Sequence, residues 1–406
     1  MGWDRFRWVY CQLDNLRRCM PSSIRKALDE LPDTLDDTYE RILQNIPKQK
    51  WQHAHRLFQC MVAAIRPLGV DELAEIFAIG FGPNVTPKLV EDWRPENPEQ
   101  AVFSACSTLI TIIDDWKIVQ FSHFSVKEYL TSDRLQSSDV GNISRFSISL
   151  EPAHTILARA CLAVLLQPDE KVEERLLERL ATLPLALYAA RSWIDHAKFE
   201  NVASQISDAM EDLFDPTKPH FRAWVRIHDV DQYQKRNTGH VDECLPTPLH
   251  CAALYGFGGI VKHLIITHGQ DVNEKVYDGE TALHAVSKNG HVDVAQMLLD
   301  YGADVNAQDD DSVTPFHWAS CTGPVKLVRL LLEHGATVNE TDFDIPPLHL
   351  AVRSGNLEIV RLLLDHGADV QLETRDRVGL TPLQTAIISR KASPAVAQLL
   401  LDRGAK

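Results

Sequence analysis

The feature that most limits how this chain can fold is a hexapeptide that occurs five times. Thr247-Pro248-Leu249-His250-Cys251-Ala252 recurs as Thr281-Ala282-Leu283-His284-Ala285-Val286 and as Thr314-Pro315-Phe316-His317-Trp318-Ala319. It comes back as Pro346-Pro347-Leu348-His349-Leu350-Ala351 and Thr381-Pro382-Leu383-Gln384-Thr385-Ala386, at steps of 34, 33, 32 and 35 residues. A second landmark keeps the same beat: Gly269, Gly302, Gly335, Gly367 and Gly404, with Ala-x-Val-Asn after Gly302 and Gly335. Two independent markers on one period define a stack of like units, none of which buries its apolar face alone.

Each repeated residue has a physical task. Thr247, Thr281 and Thr314 are placed to cap a helix, a hydroxyl accepting an orphan amide for about 1 kcal/mol. The proline that follows most of them suits the first helical position, where its missing N–H costs nothing. His250, His284, His317 and His349 are placed to bond the backbone of their own loop and of the adjacent repeat. A second helix carries the apolar face, with Val328, Leu330 and Leu331 in one unit and Ile359, Val360, Leu362 and Leu363 in the next. Gly302, Gly335 and Gly367 end those helices in the left-handed region that glycine enters cheaply. This pattern is identified as the ankyrin repeat, over roughly residues 240 to 406. The resemblance implies an α-solenoid whose concave face of fingers and first helices binds other proteins.

The finger tips are acidic and carry aromatic residues. They comprise Tyr277, Asp278 and Glu280, then Asp309, Asp310 and Asp311, then Asp342, Phe343 and Asp344, with Trp318 on a first helix. From 237 to 406 there are 13 Lys and Arg against 22 Asp and Glu, a net of −9, and the rest of the −15 chain supplies −6. Two readings stand side by side. The carboxylates solvate exposed turns, or they form a docking face for a basic segment, with Tyr277, Trp318 and Phe343 as anchors. The last finger mixes signs, with Arg375, Asp376 and Arg377.

The first 236 residues read as helical with one short β element. Thr34 to Asp37 resembles a capping box and opens a helix with Leu35, Tyr39, Ile42, Leu43 and Ile46 at helical spacing, stopped by Pro47. A second helix is expected from about Lys50 to Ile65, and a third over Asp71 to Ala78. A further helix near Glu99 to Ser107 precedes two β-like runs, Leu109 to Ile113 and Lys117 to Phe121, and a new helix starts near Ser125. Three helices and a hairpin suggest a winged-helix module. A DNA reader needs a basic recognition helix, but Ala101 to Thr108 holds no Lys or Arg.

A wider resemblance rests on three groups of residues. The first is Phe6-Arg7-Trp8-Val9-Tyr10-Cys11-Gln12-Leu13 with Leu31-Pro32-Asp33-Thr34-Leu35-Asp36-Asp37-Thr38-Tyr39 and Arg66-Pro67-Leu68. The second is Phe121-Ser122-His123-Phe124-Ser125-Val126-Lys127-Glu128-Tyr129-Leu130. The third is Tyr188 to Ala197 with Phe214-Asp215-Pro216. Together they are similar to the region that follows the NACHT module in fungal NACHT–ankyrin proteins, which are NLR-like signal-transduction ATPases. The sequence departs from that family in one decisive place: no Gly-x-x-x-x-Gly-Lys-Ser/Thr occurs, so nothing here cradles nucleotide phosphates. The expected organisation is a helical segment at 1–66 ending a NACHT-associated region, a winged-helix module at 67–140, a helical bridge at 141–236 and about five repeats at 237–406. The fold class is mainly α.

Composition bounds the function classes. At 45% hydrophobic and 24% charged residues, the chain is expected to fold as a soluble protein. Its acidity disfavours nucleic acid and anionic membranes. The longest apolar run, Leu180 to Ala190, is 11 residues and contains Pro184, too short to cross a bilayer. No secretory signal opens the chain, and eight scattered cysteines without Cys-x-x-Cys fit a reducing compartment. The sequons at Asn84, Asn142 and Asn339 are therefore expected to be chance matches, and the location cytoplasmic or nuclear. No Gly-x-Ser-x-Gly or His-Glu-x-x-His is present, and His53 and His55 lie about 200° apart on a helix, a poor metal clamp. The expectation is a non-enzymatic scaffold with no cofactor, no metal, no catalytic residue and other proteins as partners. The alternative is a regulatory or truncated fragment of an NLR-like ATPase that assembles with NACHT-bearing relatives.

Overall fold

The computed structural model describes residues 34–82, 86–113, 115–138, 142–167, 182–228, 246–375, 379–389, 391 and 394–406. Expectations placed on residues 6–13 and 31–33, and on Cys11, Cys19, Asn84, Asp114, Cys244, Asp376, Arg377 and Arg390, lie outside the described residues, as does the Tyr277 side chain. The chain divides into two units, 1–213 with 223–230 and 214–222 with 231–406.

In the first unit, Thr34 caps α1 (Leu35–Gln44), its Oγ1 accepting the Asp37 amide at 3.1 Å. Tyr39, Ile42 and Leu43 turn inward, as their spacing predicts. Helix α2 (Trp51–Ala63) buries Ala54, Leu57, Phe58 and Val62, and α3 (Val70–Phe77) buries Leu73 and Ile76. A two-residue ribbon follows, β1 (Ile79–Gly80) against β2 (Lys88–Leu89). Then α4 (Pro98–Cys106) starts on the Asn97 side chain, which accepts the Gln100 amide at 2.9 Å.

The expected hairpin is antiparallel, β3 (Ile110–Ile113) with β4 (Ile118–Phe121), in the register Ile110↔Phe121. Its outer edge is covered. The Val119 amide donates to Leu68 O, and the Val70 amide to Lys117 O, both at 2.9 Å. Edge backbone groups that would template aggregation are thereby satisfied inside the module.

Helices α5 (Phe124–Leu130), α6 (Asp133–Gln136), α7 (Leu150–Leu165), α8 (Ala186–Ala197), α9 (Val202–Gln205), α10 (Ser207–Phe214) and α11 (His220–His228) complete the region before the repeats. Buried alanines on α7 (Ala153, Ala160) and α8 (Ala186, Ala189) let those two helices pack along their length. Trp193 and His196 of α8 are both fully buried. Trp193 meets Trp224 edge-on at 5.4 Å, and the Trp224 indole N–H donates to Ala190 O at 3.0 Å.

The second unit is a file of helix pairs. First helices α12 (Pro248–Tyr255), α14 (Ala282–Asn289), α16 (Pro315–Thr322), α18 (Pro347–Ser354) and α20 (Pro382–Ile388) alternate with second helices. Those are α13 (Gly258–His268), α15 (Val292–Asp300), α17 (Val325–Glu333), α19 (Leu357–Asp365) and α21 (Pro394–Asp402). First helices pack on first and second on second, as a one-dimensional stack requires. Val328, Leu331, Val360 and Leu363 are completely buried. Gly302, Gly335 and Gly367 hold φ of 86°, 87° and 86°, and the space a Cβ would occupy has no neighbouring atom within 4 Å. Backbone conformation alone, not crowding, therefore demands glycine there.

Candidate functional site: the finger face of the repeats

Local chemistry positions the fingers. Thr247 Oγ1 accepts the His250 amide at 3.2 Å. In the next two units the threonine amide donates to a ring nitrogen instead: Thr281 to His284 Nδ1 at 3.1 Å and Thr314 to His317 Nδ1 at 3.0 Å. Because Nδ1 accepts, the single proton of neutral His284 sits on Nε2, which donates to Val313 O of the following unit at 3.0 Å. His349 Nε2 reaches Leu380 O at 2.8 Å in the same way. Burial holds His284 below the ordinary imidazole pKa, and brings His250 and His317 down to about 4, so these rings remain neutral.

His317 departs from the expected bridge to the adjacent repeat. Its Nε2 has no hydrogen-bond partner among the described residues. The Phe343 ring stands edge-on to the imidazole at 5.3 Å and 81°, in the finger that supplies the accepting carbonyl elsewhere. Pro346 also lacks the N–H that Thr281 and Thr314 donate to their histidines.

A second tie runs along the fingers, and the repeat pattern gives no role to it. Asn273 donates to Gly302 O at 3.1 Å and accepts the Asp304 amide at 2.7 Å. Asn306 repeats this with Gly335 O at 3.1 Å and the Thr337 amide at 2.8 Å, and Asn339 with Gly367 O at 3.0 Å and the Asp369 amide at 2.9 Å. Gln371 closes the series on Gly404 O at 2.8 Å. The signal is present in the Ala-x-Val-Asn run, which by itself serves only as a landmark. The Asn339 amide is engaged at both ends, whatever its sequon suggests.

Some of the acidic side chains are engaged within the fingers. Asp309 Oδ1 accepts the Asp311 and Val313 amides at 3.0 and 2.8 Å and so closes its own finger. Asp342 Oδ2 accepts Gln308 Nε2 at 2.9 Å. Glu280 is half-buried, with its pKa raised by that burial, and has Lys288 Nζ at 3.9 Å. Asp278, Asp310, Asp311, Asp342 and Asp344 are exposed at the tips.

Of the aromatic residues, Trp318 and Phe343 are half-buried. Lys288 lies over the Trp318 ring at 4.7 Å from its centre, the separation of a cation–π contact. Lys288 therefore joins Glu280 of one unit to Trp318 of the next, a link invisible to spacing. The backbone of Tyr277 opens the turn Tyr277–Gly279, where Asp278 and Gly279 have φ of 65° and 74°.

Two pairs of adjacent fingers are joined by main chain. The Asp310 amide donates to Asp278 O at 2.9 Å, and the Arg375 amide to Asp344 O at 2.8 Å. Gly279 makes the first joint possible, since a Cβ there would lie 2.8 Å from Asp310 N. The tips thus form two tied pairs, linked to each other by the Gln308–Asp342 side-chain hydrogen bond. Among the described residues no cluster of His, Cys, Asp and Glu is arranged to hold a metal, and no helix is long and apolar enough to cross a membrane.

Comparison with known proteins agrees with this architecture. A family model for ankyrin repeats (3 copies) matches residues 249–342 and 340–406, and one for the GPI inositol-deacylase winged helix domain matches 39–141. That second match begins at residue 39 and so takes in α2 and most of α1. The chain is similar to the azaphilone pigments biosynthesis cluster protein L of Monascus ruber, 31% identical over 291 residues, which cover 67% of this chain and 60% of that protein. The chain carries ankyrin repeats and a winged-helix domain of the GPI inositol-deacylase type, a type found after NACHT in NACHT–ankyrin proteins. It spans about 60% of the length of the relative it matches.

Proposed function

We propose that this chain is a non-enzymatic scaffold that captures a basic segment of a partner protein on the acidic finger row, in the cytoplasm or nucleus. Ankyrin repeats generally bind other proteins. The observation that carries the finer reading is the exposure of Asp278, Asp310, Asp311, Asp342 and Asp344 on tips tied in two pairs by backbone hydrogen bonds. A fixed row of like charges gives a basic partner a high association rate and a set register, and ties between fingers lower the ordering cost of binding. No reaction is assigned to this face.

The test reverses charge where the side chains are outward. Asp311→Lys with Asp344→Lys is expected to lose recovery of basic-segment partners in a pull-down while the melting curve stays unchanged. Recovery of every partner at wild-type level would exclude the finger row as the docking face.

A second reading is favoured by the match over residues 39–141: a regulatory piece that assembles with NACHT-bearing relatives through its first 236 residues. Light scattering of the chain mixed with such a relative decides it, since two unshifted monomer peaks would rule assembly out.

A further inference from the structure

A groove of about 1040 Å³ opens in the winged-helix region, between α2, the β1–β2 ribbon and the chain leading into α4. Lys50, Arg56 and Lys88 line it together with His53, and among the described residues no Asp or Glu does. That is unusual in a chain of net charge −15. Arg56 is half-buried and lies 4.5 Å over the Phe81 ring. Burial, its largest influence, depresses its pKa, and no carboxylate is among the causes that offset this. Its planar guanidinium, stacked on Phe81 in the wall of this open cavity, is a fork of donors suited to carboxylates. Trp93 stands at the groove, 58% exposed, and a large exposed indole beside fixed cations is the composition of a binding hot spot.

We propose that this groove docks an acidic segment of another protein that carries an aromatic residue, its carboxylates on Arg56, Lys50 and Lys88 and its ring against Trp93. Charge complementarity selects that occupant. Nucleic acid fits less well, because its affinity grows with the number of phosphates neutralised and is screened by salt, and the described lining of the groove offers only three permanent cations. The site is independent of the finger row, which seeks the opposite charge.

The experiment is fluorescence polarisation of the full chain with a fluorescein-labelled peptide of alternating Asp and Glu bearing one central Phe. Arg56→Gln and Lys88→Glu are each expected to weaken binding about tenfold or more, whereas Asp311→Lys with Asp344→Lys leaves it unchanged. Should Arg56→Gln fail to fold by circular dichroism, the exposed Lys88→Glu decides alone. Wild-type affinity in Lys88→Glu, absence of peptide binding by the wild type, or displacement of the peptide by single-stranded DNA or pyrophosphate at lower concentrations each overturns the proposal.

Discussion

The imidazole Nε2 of His284 donates across 29 positions of sequence to the carbonyl oxygen of Val313, at 3.0 Å. Its Nδ1 is already taken by the Thr281 amide, so one neutral ring closes a cap in its own unit and crosses to the next. Protonation weakens this arrangement, because Nδ1 then turns a donor toward the Thr281 amide, and only the Thr281 hydroxyl at 2.9 Å is left to accept from it.

Stability is therefore expected to fall with acid. Burial lowers His196 to about 3 and His250 and His317 to about 4, and also lowers His55, His154 and His284. An unfolded imidazole takes its proton near pH 6.5, so below that pH the unfolded chain binds more protons and is favoured. Melting temperatures should be level above about pH 7 and drop steadily from about 6.5 to 4. A flat profile across that range would mean these rings are not held neutral.

The asparagine ladder should be worth measuring one rung at a time. Asn306→Ala removes the donor to Gly335 O and the acceptor for the Thr337 amide, both near solvent, and should cost about 1 kcal/mol in urea unfolding. Asn306→Asp keeps the acceptor and loses the donor, and is expected to fall between wild type and Asn306→Ala.

Truncating the second-helix face should be far more damaging. Leu331 is completely buried, and Leu331→Ala is expected to cost about 2–5 kcal/mol through the cavity it leaves. A loss below about 1 kcal/mol would show that the stack relaxes into the space.

The last repeat should open before the middle ones. Ile387 and Ile388 are 74% and 65% exposed, and Gln384 stands in for histidine, its Oε1 accepting the Thr381 amide at 3.0 Å. Deuterium uptake over 382–402 should exceed that over 315–333 within minutes. Equal protection in the two segments would contradict nearest-neighbour stability along the array.

Much of the fold is readable from the chain alone. The period, the threonine caps, the glycine stops and the hairpin at 110–121 all depend on backbone geometry over a few residues, which is encoded locally. The candidate site is legible only by residue type. Charge and aromaticity mark the finger and first-helix positions, yet spacing cannot separate Asp309, which bonds its own loop, from Asp311, which faces water.

What the sequence determined by itself is the repeated unit and its stacking, because each unit carries an apolar face that only a neighbour of the same kind can cover. The tertiary structure alone decided which polar side chains are spent inside the stack and which remain outward. Contacts such as His284 to Val313, Asn306 to Gly335 and Lys288 to the Trp318 ring join residues of neighbouring units. Their formation depends on the distance between repeats in space, a quantity that no local pattern contains.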